Sequence, residues 1–257
     1  MKRISVDIGG TFTDCFVVWD GKYIETKALT THHNLALGFN EAVEKAYTEL
    51  DISMEEILAG VDSVRYATTL GTNALIEHNG PRIGMLVTAG FEAMVPLSRG
   101  RGYGEGLDEM GKQNLPDAQR PEPLVLPHMI EGVRERLGFE GELVMPLDEA
   151  DLRLKVRTLV DKGAQVIVVC LVNSVVNPAH EKQVEKILLE EYPTHLLGSI
   201  PVILSHRVAG RKGEYVRATS AIVDGYLHST MYHAMSQLEQ NLRSHGYTKP
   251  MLVIHNS

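Results

Sequence analysis

The sequence predicts an α/β protein built around a mixed β-sheet with flanking helices. Three strand-like segments follow one another near the N-terminus, at residues 3–8, 15–19 and 23–28. The links between them, Gly9-Gly10-Thr11 and Asp20-Gly21, are typical of tight turns. Helix-like and strand-like patterns then alternate, and three antiparallel strands followed by such an alternation favour a mixed sheet with helices packed on it.

The elements that follow are predicted from periodicity and from signals at their ends. Apolar residues recur at helical spacing over 35–50, and Ser53 with Glu56 forms a capping-box pattern before a second, short helix. Next come, in chain order, a predicted strand at 61–67, a helix at 72–78 and a strand at 82–88.

The second half of the chain continues the alternation. A ribbon is predicted from 129–137 and 143–146, and a helix from the cap Asp148 to the stop Gly163. Residues 165–172 are almost continuously apolar, which is typical of a strand buried on both faces. The last predicted elements are a helix opened by Asn177-Pro178, a short strand at 201–205, a long helix at 213–245 and a strand at 251–256.

Residues 98–127 differ in composition from the rest of the chain, because Gly, Pro and charged residues dominate there. This pattern predicts an exposed loop or insertion. A loop of that length is usually functional or disordered, so contact with a partner or substrate and plain disorder both stay open. We therefore expect an N-terminal α/β region at 1–97, the loop or insertion at 98–127, and a second α/β region at 128–257.

Composition excludes several classes of protein. The chain has 257 residues, 44% hydrophobic and 23% charged, which is a globular profile for one large domain or two smaller ones. Its net charge of −8 argues against binding nucleic acid by phosphate neutralisation. We expect no membrane contact and a cytoplasmic location, because no apolar run nears the roughly 20 residues of a bilayer span and no signal peptide is evident. Cys15 and Cys170 lack CxxC spacing, so neither a disulfide framework nor a cysteine zinc site is expected.

The segment VDIGGTFTD at residues 6–14 carries the strongest functional pattern. A buried strand brings Asp7 to its end, and two glycines then allow a tight turn where a phosphate can approach backbone N–H groups. An ionised Asp7 is only an acceptor, so beside a phosphate it requires Mg²⁺ or the waters of Mg²⁺. We predict a phosphate cradle on a hairpin. The alternative is an ordinary hairpin whose glycines only supply positive φ.

The residues predicted to form this cradle divide into two groups. Asp7 and Asp14 are the candidate catalytic carboxylates, with Asp7 also holding Mg²⁺ through the nucleotide and water. The candidate cofactor-binding residues are Asp7, Gly9, Gly10, Thr11, Phe12 and Thr13, of which the two threonines are expected to add hydroxyl donors.

This motif resembles the first phosphate motif of the hydantoinase A/5-oxoprolinase family, which includes ATP-dependent ketone carboxylases. Further segments similar to that family follow in the same order: ATTLGTNALIE at 67–77, TAGF at 88–91, CLVNS at 170–174, NPAHE at 177–181, SH at 205–206 and EYVRATS at 214–220. The segments SRGRGYGEG at 98–106 and AGRKGEY at 209–215 depart from hydantoinases. They look more like the acetone and acetophenone carboxylase subunits, most of all the N-terminal portion of the acetone carboxylase β-subunit type.

The resemblance implies a fold of the actin/hexokinase/heat-shock-chaperone kind, in which two ribonuclease-H-like halves close on ATP and Mg²⁺. It implies a ligase in which phosphorylated bicarbonate and an activated ketone enol join to give a 3-oxo acid. The protein's part in phosphoryl transfer is positioning and charge stabilisation. It also implies partner carboxylase subunits in a hetero-oligomer, and any further metal, Mn or Zn, only in those partners. Two alternatives stay open: an ATP-dependent hydantoinase or 5-oxoprolinase subunit that hydrolyses a cyclic amide, and a non-catalytic assembly subunit of the same fold.

Three polar residues outside the motif are candidates for catalysis or substrate contact. Thr72 and Asn73 either cap a helix or contact substrate. His206 is a candidate general base or metal ligand, and a structural role for this histidine is the alternative.

A second group of candidates lies at 211–217. Glu214 and Arg217, three residues apart on a helix, either pair with each other or contact substrate. Arg211 meets an anionic intermediate or a partner subunit, or it belongs to a solvated turn.

The length of the chain bears on the implied nucleotide cleft. Gly9-Gly10 is the only adjacent glycine pair, and no second Asp-x-Gly-Gly-Thr turn follows. We therefore expect the second nucleotide-binding lobe to be missing. The chain is then a fragment or one half of a split subunit, and it binds ATP weakly on its own.

Overall fold

The computed structural model describes residues 2–31, 34–98, 102, 104, 106–114, 116, 120, 122–194 and 199–254. The chain divides into two compact units: unit 1 is Met1–Asn79 with Leu227–Ser257, and unit 2 is Gly80–Tyr226. The region boundaries expected from composition, at 97/98 and 127/128, stay a prediction about the sequence, while the compact units change at 79/80 and 226/227.

Unit 1 contains a five-stranded mixed sheet. Its strands are β1 (Arg3–Ile8), β2 (Phe12–Trp19), β3 (Lys22–Leu29), β4 (Ser63–Thr68) and β11 (Met251–Val253). They are arranged in the order β11-β4-β1-β2-β3. The pairs β1/β2 and β2/β3 are antiparallel, and the pairs β1/β4 and β4/β11 are parallel. A three-stranded meander extended by parallel strands confirms the expected α/β fold of the ribonuclease-H-like kind.

The hairpin between β2 and β3 forms as predicted. Asp20 and Gly21 have φ of 48° and 87°, the two positive values that a type I′ turn requires. The predicted second strand is longer than expected, since β2 begins at Phe12 rather than at Cys15.

Helix α1 (Leu35–Leu50) covers one face of this sheet. Its buried side chains, among them Phe39 and Val43, pack with Ile4 and Val17 of the sheet. Gly38 allows a close approach at the end of β3, because a Cβ there would lie 2.7 Å from a backbone carbonyl oxygen. A side chain at this position would push α1 away from the strand.

Two short helices complete the N-terminal part of unit 1: α2 (Met54–Gly60) and α3 (Leu70–Ile76). The hydroxyl of Ser53 accepts the amide of Glu56 at 3.1 Å, which confirms the predicted N-cap.

Unit 2 is built on a four-stranded parallel sheet. Its strands are β5 (Ile83–Thr88), β6 (Ile130–Val133), β9 (Val166–Cys170) and β10 (Val202–Leu204), in the order β10-β9-β5-β6. Every residue of β5 and β9 is buried, as predicted for β9 from its apolar run. A separate two-stranded ribbon joins β7 (Arg136–Leu137) to β8 (Leu143–Met145).

Among the described residues of unit 2, the α-helices that lie wholly within it are α4 (Met94–Leu97), α5 (Glu109–Gln113), α6 (Glu149–Asp161), α7 (Ala179–Glu191) and α8 (Ser205–Val208). Asp148 caps α6 and Gly163 follows it at φ 86°, both as predicted. Helix α5 lies in the segment expected to be a loop, so that segment carries a short helix of its own. Residues 99–101, 103, 105, 115, 117–119 and 121 of the segment lie outside the described residues.

The longest helix, α9 (Glu214–Ser244), has 31 residues and belongs partly to each unit. Gly246 follows its end at φ 87°, which confirms the predicted glycine stop. Across the described ranges, none of the helices is both long enough and apolar enough to cross a bilayer.

The two cysteines give a test of the packing in each unit. Both are free and buried, and burial raises the pKa of Cys15 to about 12 and that of Cys170 to about 11. The thiolate is the reactive form, so we expect neither thiol to react with an aromatic disulfide reagent at pH 8 in the native protein. Both should react at once in guanidinium chloride. A thiol that titrates rapidly in the native protein would show that its unit is packed differently.

Candidate functional site

The turn between β1 and β2 is held closed by a hydrogen bond from the Gly9 amide to the Phe12 carbonyl at 3.0 Å. Within the described part of the chain, neither Gly9 nor Gly10 has a positive φ, so the alternative in which they only supply that conformation is wrong. What they provide is space: a Cβ on Gly10 would lie 3.2 Å from Nδ2 of Asn73, and one on Gly9 would lie 3.2 Å from the Phe12 oxygen. The glycines therefore let the turn close tightly and let Asn73 pack beside it.

Three donors from the ends of β3 and β4 bind the carbonyl groups of this turn. The hydroxyl of Thr30 donates to the Gly9 carbonyl at 2.9 Å, and its amide donates to the Thr11 carbonyl at 3.0 Å. The hydroxyl of Thr68 donates to the Ile8 carbonyl at 2.9 Å. The carbonyls of Ile8, Gly9 and Thr11 are thus already engaged within the protein.

The amides of Gly10 and Thr11 differ from these carbonyl groups in their hydrogen bonding. Among the residues that the structure describes, no acceptor takes up either N–H group, and both residues are exposed. Successive free amides in a turn form a concavity that favours an anion. The turn is therefore suited to bind a phosphate through its backbone.

Thr13 does not have the role expected of it. Its side chain is fully buried, and its hydroxyl lies 3.1 Å from the hydroxyl of Thr30. Because the single hydroxyl proton of Thr30 goes to Gly9, Thr13 donates in this contact. Thr13 supports the turn from within and does not offer its hydroxyl to a ligand.

Asp7 and Asp14 lie directly opposite each other on β1 and β2, and so on the same face of the sheet. Two like charges in such a pair are destabilising. The ammonium of Lys27, 3.0 Å from Asp14 and 4.7 Å from the centre of the Phe12 ring, offsets one of them. A divalent cation would offset more, and carboxylate oxygens are the ligands that Mg²⁺ prefers.

Magnesium at this position would need ligands from outside the protein. Across the described ranges, no group of three or more His, Cys, Asp or Glu side chains is placed to hold a metal ion. Asp7 and Asp14 thus fit a cation that also binds phosphate oxygens and water, which is how Mg²⁺ is usually held.

Asn73 lies beside the turn, and the alternative in which it and Thr72 cap a helix is wrong. Both residues are inside α3, and the amide of Leu70 at its start is bound by the hydroxyl of Thr68 at 3.1 Å. Asn73 lines a small cavity of about 20 Å³ together with Gly9 and Gly10, which is room for one water-sized group. Thr72 is exposed.

A second polar cluster lies in unit 2, where β9 and β10 end. Glu181 is fully buried, and its carboxylate accepts from the Leu171 amide at 3.0 Å and the Ser205 hydroxyl at 2.6 Å. His206 adds two more donors, its amide at 3.2 Å and its Nδ1 at 2.6 Å. Burial opposes ionisation of Glu181, but these hydrogen bonds outweigh it and hold the pKa of that carboxyl below its usual value.

Arg217 completes this cluster. It is fully buried, donates from Nε to the Ser205 hydroxyl at 3.0 Å and from Nη2 to the Leu171 carbonyl at 2.7 Å. The predicted pairing with Glu214 is present, at 3.7 Å. Arg211 is exposed, as the interpretation as a solvated turn expects.

The structure thus divides the predicted site residues. Those of the hairpin and α3 lie in unit 1, and His206, Arg211, Glu214 and Arg217 lie in unit 2. Sequence reasoning missed Lys27, Thr30, Thr68 and Glu181. Thr30 and Thr68 lie just after the predicted strands at 23–28 and 61–67, where hydroxyl side chains commonly bind a neighbouring turn. No local pattern pointed to Lys27 or Glu181.

The family model for the hydantoinase/oxoprolinase N-terminal region matches residues 3–192. The chain belongs to this family. The hairpin site and Glu181 lie inside the matched residues, while Ser205, His206 and Arg217 follow them.

Among curated relatives, the chain is 42% identical to the acetophenone carboxylase gamma subunit of Aromatoleum aromaticum strain EbN1. That match covers the whole chain but only 35% of the relative. The chain therefore spans about a third of the length of this family member.

Two solved structures share the fold. One is the nucleotide-free acetone carboxylase, described with the mechanism of ATP-dependent acetone carboxylation, at 29% identity and a TM-score of 0.89 over 98% of this chain and 36% of that one. The other is the ATP-dependent caprolactamase of Pseudomonas jessenii, at 26% identity and a TM-score of 0.81 over 98% and 35%. The expected resemblance to the acetone and acetophenone carboxylase subunits is confirmed.

The lowered pKa of Glu181 predicts how unit 2 responds to acid. A carboxyl whose pKa is lower in the folded than in the unfolded state stabilises the fold above the unfolded value, about 4.3, and this contribution is lost as pH falls through the folded value. We therefore expect Glu181→Gln to be less stable than the native protein at pH 7 and the difference to shrink below about pH 4.

Urea unfolding at several pH values measures this effect. Glu190→Gln, which removes a half-exposed carboxyl from the same helix, controls for the loss of one charge. A Glu181→Gln deficit that stays constant down to the lowest pH would contradict the assignment of an ionised, stabilising carboxylate.

Proposed function

We propose that the chain is the phosphate-binding part of an ATP-dependent ketone carboxylase subunit. The observation that carries this proposal is the pair of free amides at Gly10 and Thr11, beside the carboxylates of Asp7 and Asp14. Amide donors and a cation held by carboxylates are complementary to the two features of Mg·ATP, its phosphate oxygens and its metal ion.

In this proposal each residue of the hairpin has a distinct task. The amides of Gly10 and Thr11 bind phosphate oxygens, and the missing side chain of Gly10 lets a phosphate reach them. Asp7 and Asp14 orient Mg²⁺ through its water ligands, and Asn73 offers its side-chain amide at the same turn. Bound ATP supplies a phosphoryl group that turns a poor electrophile into a reactive one.

The proposed substrates are a ketone and bicarbonate, joined to give a 3-oxo acid. The similarity to the acetophenone carboxylase gamma subunit and to acetone carboxylase supports this choice. Because the chain spans about a third of these relatives, the complete reaction is assigned to a hetero-oligomer with partner carboxylase subunits in the cytoplasm. Any further Mn or Zn belongs to those partners.

The second candidate function is ATP-dependent hydrolysis of a cyclic amide. The caprolactamase fold match supports it, since that protein is also ATP-dependent. Both candidates use the same hairpin, and they differ in which compound stimulates ATP hydrolysis by the native assembly: a methyl ketone with bicarbonate, or a lactam or hydantoin.

Asp7→Asn tests the hairpin assignment directly. The change keeps the size of the side chain and removes the charge that orients Mg²⁺. We expect the native assembly carrying it to bind Mg·ATP at least about tenfold more weakly, a loss of about 1.4 kcal/mol, by equilibrium titration.

Asp20→Asn is the matched control, because it removes a carboxylate from the same meander at the far end of β2. Asp20 is 63% exposed and has a positive φ that Asn tolerates. Equal affinity in the native protein and Asp7→Asn would refute the assignment. An assembly that binds no nucleotide at all would favour the non-catalytic alternative.

A further inference from the structure

The carboxyl ends of the parallel strands in unit 2 carry a concentration of buried charge. Glu135, His180, Glu181 and Arg217 are all at least nine-tenths buried, and all lie in or next to the segments that follow β6, β9 and β10. Open α/β sheets bind their ligands at this edge. This edge is therefore where unit 2 is expected to bind a ligand.

The ring of His206 is fixed in one tautomer. Glu181, whose pKa is held below its usual value by its hydrogen bonds, is an acceptor only, so the proton of the 2.6 Å contact is on Nδ1 of His206. In the neutral ring the lone pair is therefore on Nε2, and no described residue bonds this nitrogen. The side chain is 12% exposed, so the ring is partly accessible.

Glu181 is itself held in place on both oxygens. One accepts from the Leu171 amide and the Ser205 hydroxyl, and the other accepts from His206 twice. The guanidinium of Arg217 reaches the same hydroxyl through Nε. A carboxylate with four donors cannot turn freely, so it holds the imidazole ring at a set angle.

The remaining nitrogen of the Arg217 guanidinium, Nη1, independently indicates that a ligand binds here. Nη1 is buried and has no hydrogen-bond partner among the described residues. A buried N–H without an acceptor is costly, and an oxygen atom bound beside the cluster would satisfy it.

The neighbouring pair of Glu135 and His180 is a useful contrast. Its Nδ1–carboxylate distance is also 2.6 Å. Here the carboxylate is tied to β5, because Thr88 donates to Glu135 and accepts the Val172 amide. The His180 side chain is 7% exposed. This pair joins β5 to the segment after β9 and is structural.

We propose that His206 is the general base that removes the α-proton of the ketone, with Glu181 as its positioning residue. This inference rests on the proposed function for its substrate class. The Cα–H bond of the ketone breaks, its electron pair forms the enolate, and the proton goes to Nε2, giving an imidazolium beside the Glu181 carboxylate. Release of that proton to water restores the base.

Proton exchange separates this step from the rest of the reaction. The native assembly is incubated in D₂O with acetone or acetophenone, Mg²⁺ and a non-hydrolysable ATP analogue, and deuterium in the methyl group is followed by NMR. We expect His206→Gln to slow exchange about 10²-fold or more, and Glu181→Gln about 10- to 100-fold, through kcat rather than KM.

Two further measurements distinguish a loss of the catalytic base from a loss of folded structure. Added imidazole should restore part of the exchange in His206→Ala, which a structural role does not predict. The matched variant His180→Gln removes the other carboxylate-bound histidine. It should lower the melting temperature and leave the exchange rate per folded molecule and Mg·ATP binding unchanged.

Each outcome decides between the alternatives. Slow exchange in His206→Gln with normal Mg·ATP binding, and rescue by imidazole, support the inference. Unchanged exchange in His206→Gln, or equal losses in His180→Gln, overturn it. Ketone-stimulated ATP hydrolysis without any exchange in the native assembly also overturns it and leaves the proposed function intact. Stimulation by a lactam alone refutes both.

Discussion

The phosphate-binding turn depends on where its own carbonyl groups are bound. Thr30 and Thr68 donate to the carbonyls of Ile8, Gly9 and Thr11, so the turn is fixed before any ligand arrives. The amides of Gly10 and Thr11 are then left at its tip without an acceptor among the described residues. A site whose donors are already oriented loses little free energy to ordering when it binds a ligand. Phosphate binding is therefore assigned to the turn itself rather than to any single charged side chain.

Unit 2 uses a buried carboxylate in the same way. Burying Glu181 is costly, and four hydrogen bonds from Leu171, Ser205 and His206 offset that cost. The Arg217 guanidinium binds the same Ser205 hydroxyl. Apolar residues of similar volume often give a fold equal stability at such positions. The cluster is therefore better explained by what it orients, the imidazole of His206, than by the stability that it adds.

Features that depend on neighbours in sequence were predictable, and those that depend on distant partners were not. The Asp20-Gly21 turn and the cap at Ser53 involve residues at most three apart, and both form as predicted. The prediction that Thr13 offers its hydroxyl to a ligand was wrong, because the sequence pattern at a strand end does not show which face is buried. Glu181 meets His206 across 25 residues, and only the packing of β9 beside β10 brings them together.

The solved relatives act on different compounds, a ketone and a lactam, and are both ATP-dependent, which fits a phosphate site common to the family. The most direct test is a structure of the native assembly with Mg²⁺ and a non-hydrolysable ATP analogue. The account predicts phosphate oxygens about 3 Å from the amides of Gly10 and Thr11, with Mg²⁺ and its waters beside Asp7. Phosphates bound elsewhere, with both amides hydrated, would contradict it.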